Sequence, residues 1–127
     1  MVTKSKNLKA IVSCLAGIKT IELEGKDIKH LVQLNKHINS ESETLHESQK
    51  KVFDDYGVSV GDQGLYSWNG HEKQEEITTK MNELMDIDIV LSPTNFLDED
   101  VFYASTKGMS IAEIVLIEPI LLKLVES

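Results

Sequence analysis

Between Lys26 and Tyr56 the chain carries Leu31, Ile38, Leu45 and Val52 at intervals of seven residues. A repeat of that period keeps one apolar stripe on one side of an α-helix, so it predicts a single long helix with a coiled-coil-like seam. The companion seam positions, Ile28, Asn35, Ser42, Gln49 and Tyr56, are polar in the middle. The stripe is therefore too thin to hold a parallel dimer by itself, and the helix needs a partner within the chain. Residues 73–86 supply one: Ile77, Met81 and Leu84 share a face, and Glu76 precedes Lys80 in the favourable i,i+4 order. The pattern predicts a long antiparallel helical hairpin, with Leu45 buried at its middle and facing Ile77 to Leu84.

The joint between these helices reads DDYGVSVGDQGLYSWNGHEK. Gly57 is a stop for the first helix. Val58 to Val60 and Leu65 to Trp68 are strand-prone runs separated by Gly61-Asp62-Gln63-Gly64, and Asn69-Gly70 turns the chain again. A small β-hairpin at the tip is expected, carrying the sole tryptophan of the sequence, Trp68. A two-stranded hairpin is too small to hide an indole. Trp68 is thus expected either to plug onto Phe53 and Tyr56 or, with Leu65 and Tyr66, to anchor a partner.

Elsewhere, Leu8, Ile11, Val12 and Leu15 mark a first helix with Ser5 as its N-cap and Gly17 as its stop. Thr20 to Leu23, Ile87 to Leu91 and Val101 to Tyr103 read as short extended runs able to form a small accessory sheet. Ser110 and Glu113 match a capping box that opens an apolar C-terminal helix, with Pro119 predicting a kink or break inside it. The expected fold is α+β, predominantly helical, with residues 1–127 as one domain.

The formal net charge of −8 repels phosphate backbones and anionic membrane surfaces. All 13 basic residues are lysine, so the guanidinium fork that reads guanine or clamps phosphate is missing. Neither nucleic acid nor membrane is an expected partner. Residues 109–125 are the most apolar segment, yet they contain Glu113, Glu118 and Lys123, whose charges cost several kcal/mol in a bilayer. The lysine-rich start, interrupted at Lys9, reads as an amphipathic helix in preference to a secretion signal. A lone Cys14 allows no intrachain disulfide and fits a reducing compartment.

No residue pattern commits the chain to a reaction. His30 and His37 lie two helical turns apart, beyond the i,i+3 or i,i+4 spacing of a shared metal, and read as solvated surface histidines. Asp86-x-Asp88 and Asp98-Glu99-Asp100 lack the glycine and distal glutamate of a calcium loop. Adjacent Asp54 and Asp55 point about 100° apart on a helix, which separates them as a catalytic pair. Cys14 falls in the apolar register of the first helix. Neither cofactor nor metal is expected, and the protein reads as a non-enzyme.

The order of features resembles a family of small phage and prophage proteins of unknown function. The likeness rests on Asp54-Asp55-Tyr56-Gly57, Met81 to Asp86 (MNELMD), Ile87 to Leu91 within DIDIVL, and the apolar stretch Met109 to Leu122. Pro119 departs from that pattern. The resemblance implies an accessory or virion-associated protein acting in the bacterial host cytoplasm or the virion, and brings no catalytic residues with it. The leading expectation is an interaction protein that assembles with itself, as a homo-oligomer, or with a phage structural protein. Its expected contacts are Leu65, Tyr66 and Trp68 at the tip and Leu121 and Leu124 on the last helix. The alternative is an acidic inhibitor of a host defence enzyme. A third reading, a small enzyme without recognisable motifs, is the weakest.

Overall fold

The computed structural model describes residues 1–61 and 64–124. In chain order the elements are β1 (Val2–Lys4), α1 (Leu8–Leu15), α2 (Gly25–Asp55), α3 (Gln74–Met85), β2 (Asp88–Val90), α4 (Glu99–Ser105) and α5 (Ile111–Leu121). The chain is mostly helical with one small antiparallel sheet, in which Val2 pairs with Val90 and Lys4 with Asp88. No described helix is long and apolar enough to cross a membrane.

The seven-residue repeat gives one unbroken helix, α2, about 46 Å long at 1.5 Å per residue. Its end follows from Gly57, whose φ of 69° is the left-handed conformation that a side chain disfavours. Val58 N–H then donates to the Phe53 carbonyl at 2.8 Å and Gly57 N–H to that of Asp54 at 3.2 Å, closing a Schellman motif with Val58 packed near Phe53.

Two hydrophobic clusters are strung along α2. The larger holds Leu31, Leu34 and Ile38 against α1, Leu91, Phe96, Leu97, Phe102 and the inner face of α5. The smaller holds Phe53 and Val58 against Ile77 and Met81 of α3. Leu45 falls between them and is only half-buried, which corrects its expected place at the centre of a core. The seam changes partners along its length: α1 covers its first half, α3 its last, and neither spans the gap. Glu76 and Lys80 form no ion pair. The Glu76 carboxylate instead stands at the Tyr56 hydroxyl and raises the phenol above its ordinary pKa.

Several short elements differ from expectation. Thr20–Glu22 is a 3₁₀ turn, not a strand, and Ile21 projects into solvent. Val101 to Tyr103 lie in α4, where Glu99 and Asp100 in the first turn complement the helix dipole and outweigh local strand propensity. The strand that pairs with Asp88–Val90 comes instead from Val2–Lys4. Ser5 is not the cap of α1: its N–H and hydroxyl both donate to the Ile87 carbonyl, at 2.9 and 3.1 Å, tying the amino-terminal strand to the sheet. At the tip, the described residues of the expected hairpin pair through an antiparallel bridge, Val60 with Tyr66, and Gly61 N–H donates to the Leu65 carbonyl at 2.9 Å. The expected turn residues Asp62 and Gln63 lie outside the described residues.

The capping box forms: Glu113 N–H donates to Ser110 Oγ at 3.2 Å, and Ser110 N–H to Glu113 Oε1 at 3.1 Å. Pro119 sits in the final turn of α5 and the helix stops at Leu121. Its freed carbonyls are taken by the segment after β2. Asn95 N–H donates to the Ile120 carbonyl at 2.7 Å, and its side-chain amide donates to those of Pro119 and Leu122 at 2.9 and 2.8 Å. Leu97 N–H donates to the Leu121 carbonyl at 2.9 Å.

Candidate interaction surface

The tip owes its order to aromatic stacking. Tyr66 lies on Phe53 with ring centroids 4.3 Å apart and planes 14° apart, and Trp68 meets the same ring at 5.3 Å. The indole N–H of Trp68 donates to Thr78 Oγ1 at 2.9 Å. Both rings are half-buried against the smaller cluster. His71 completes this end: its Nε2 bonds the Tyr56 carbonyl at 3.0 Å, while Lys73 N–H donates to its Nδ1 at 3.0 Å. Since Nδ1 accepts, Nε2 carries the proton. Of the three tip residues expected to meet a partner, only Leu65 is left turned outward, 68% exposed.

The last helix divides differently. Leu121 is fully buried in the larger cluster, with Ile117 and Ile120, which corrects its expected role as a contact. An apolar helix conceals which residues face inward, and the bonds from Asn95 and Leu97 turn this end of α5 into the core. Leu124, beyond the helix, is 80% exposed. On α5 itself Ile111 and Val115, one turn apart, are 81% and 63% exposed. Sequence reasoning missed both, since a helix apolar all round offers no polar face as a reference.

Tyr103 of α4 borders this stripe. Its hydroxyl donates to Glu118 Oε2 at 3.1 Å, and Glu118 is three residues on from Val115 along the same face. That hydrogen bond, followed by burial and the nearby charges of Glu118 and Glu99, raises the Tyr103 phenol. The outer side of α5 is thus an aliphatic stripe edged by two carboxylates and a tyrosine ring.

Several other titratable groups are spent locally. Lys4 Nζ is 2.7 Å from Asp88 and 3.8 Å from Asp86, and the hydrogen bond to Asp88 chiefly raises its pKa. Lys123 meets Asp98 at 3.0 Å and Lys51 meets Asp55 at 2.8 Å. His37 is not a free surface group, because its Nε2 bonds the Val90 carbonyl at 2.9 Å. His30 packs its ring on Phe96 at 5.3 Å, and its Nδ1 is buried with no hydrogen-bond partner among the described residues. Burial, and after it the nearby charge of Glu113, pushes the Cys14 thiol up. Among the described residues no three His, Cys, Asp or Glu side chains gather as metal ligands would.

No family model, curated protein or solved structure matches this chain.

Proposed function

We propose that this chain is a non-enzymatic interaction protein, of phage accessory or virion-associated type, that assembles with copies of itself through the outer stripe of α5. The observation that carries this reading is the exposure of Ile111 and Val115 on a helix whose other face is fully committed to the core. Adjacent exposed aliphatics gain free energy when a second surface covers them, by about 25 cal/mol per Å² removed from water. Leu124 and Leu65 add apolar surface elsewhere. In this reading α2 and α3 act as an antiparallel scaffold, supported by the contacts of Gln49 with Met85 and of Tyr56 with His71.

A non-enzymatic role is supported by the dispersal of the perturbed groups. Lys4, Lys51, Tyr56 and Tyr103 lie on separate parts of the chain, each perturbed chiefly by a different carboxylate, while Glu113 lies near enough to Cys14 to act on it. The setting, a bacterial host cytoplasm or a virion, rests on the resemblance in sequence. An acidic inhibitor of a basic enzyme has less support, because Asp55, Asp86, Asp88 and Asp98 already pair with lysines. Sedimentation velocity of Val115→Glu tests the proposal. The variant is expected to remain monomeric at concentrations where the parent chain associates; equal association of the two would refute it.

A further inference from the structure

The gap between the two cores leaves a groove. It is a depression of about 430 Å³ walled by α1, the middle of α2 and the end of α3. Leu8, Val12, Leu45 and Met85 give it an apolar lining, and Lys6 and Lys9 stand along one wall. Neither lysine forms an ion pair among the described residues, whereas Lys4 close by is held by Asp86 and Asp88. A chain of net charge −8 therefore presents two uncommitted cations beside an apolar slot.

The α5 stripe has the opposite character. Ile111 and Val115 project from a helix that contains no basic residue, with Glu118 on the same face and Glu99 nearby across Tyr103. We infer that the groove receives the α5 stripe of a second copy of this chain, with Lys6 and Lys9 facing Glu118 and Glu99. This rests on the self-assembly reading above and adds the surface that α5 meets. The two patches differ in shape and sign, and the proposed contact is head-to-tail: each copy gives its stripe to one neighbour and its groove to another. Such an interface leaves one groove and one stripe free at the ends of every complex, and growth continues until a ring closes or a filament forms. Apposing two α5 stripes directly would offer Glu118 and Glu99 no cation from either α5, which contains no basic residue.

Mixing experiments separate this from other modes of association. One variant carries Lys6→Glu with Lys9→Glu in the groove wall; the other carries Val115→Glu in the stripe. All three positions are exposed, and circular dichroism checks that the folds are unchanged. Light scattering is expected to show the parent chain growing past a dimer, each variant alone as a monomer, with dissociation constants raised about tenfold or more. A mixture of the two retains one intact groove and one intact stripe, and is expected to form a 1:1 complex that stops at two chains. If Val115→Glu is monomeric while the groove variant still associates, α5 meets some other surface: the head-to-tail inference fails and self-assembly through α5 stands. If the parent chain is monomeric, or if it associates and neither variant alters this, both readings fail.

Discussion

The indole N–H of Trp68 donates to the hydroxyl of Thr78 at 2.9 Å, binding the tip of the molecule to the exposed side of α3. Together with its contact on Phe53, this makes Trp68 part of the smaller core and leaves it a poor anchor for a partner. Trp68→Ala is expected to cost about 2 kcal/mol, less than the ~3–5 kcal/mol of a fully buried aromatic because part of the ring stays in solvent. Thr78→Val, which removes the acceptor and keeps the shape, should cost about 0.5–1.5 kcal/mol. Denaturant titrations followed by the fluorescence of Trp68, or by circular dichroism for Trp68→Ala, measure both losses. An unchanged midpoint in Trp68→Ala would contradict the assignment.

Asn95 holds the other end. It adopts φ of 56°, where few residues other than glycine and asparagine are at ease, and its amide bonds two carbonyls at the close of α5. Asn95→Ala loses those bonds and adds backbone strain, so about 2–3 kcal/mol of stability should disappear. Asn95→Gly relieves the strain alone and should fall between the parent and Asn95→Ala. Thermal unfolding of the three proteins gives the order directly.

Along α2, one repeat predicts opposite outcomes at adjacent seam positions. Ile38 is fully buried and Leu45 lies half-open in the groove. Ile38→Ala should cost about 2–5 kcal/mol, whereas Leu45→Ala should cost about 1 kcal/mol because little cavity forms where the wall is already open. Equal costs in chemical denaturation would mean that α1 or α3 closes over Leu45 in solution.

The capping box sets a pH dependence. Hydrogen bonds from the Ser110 side chain and backbone hold the Glu113 carboxyl below its ordinary pKa. A depressed carboxyl stabilises the fold above its unfolded pKa, and that contribution is lost as pH falls through the lower, folded value. The melting temperature should therefore drop more steeply below pH ~4.5 in the parent than in Ser110→Ala, which loses the side-chain bond and keeps only the backbone one. Parallel pH profiles of melting temperature would remove the assignment.

Local signals were readable and distant ones were not. The boundaries of α2, the stop at Gly57 and the Ser110–Glu113 box each depend on residues within a turn or two of one another. The strand Val2–Lys4 is three residues long, and its partner lies more than eighty residues away, so periodicity had too little to act on. Thr20 to Leu23 alternates in sequence, but Ile21 finds no core and the segment closes as a 3₁₀ turn. The surface of α5 was illegible for a related reason: apolar residues occupy nearly every side, and what separates buried Leu121 from exposed Val115 is packing against elements distant in sequence.

Self-assembly through the exposed α5 stripe is the claim on which the functional account depends, and the molar mass of the unmodified chain across a dilution series tests it most directly. Static light scattering is expected to give a mass that rises with concentration beyond that of two chains and returns to the 14.3 kDa of one chain on dilution. A constant 14.3 kDa up to millimolar concentration would contradict it.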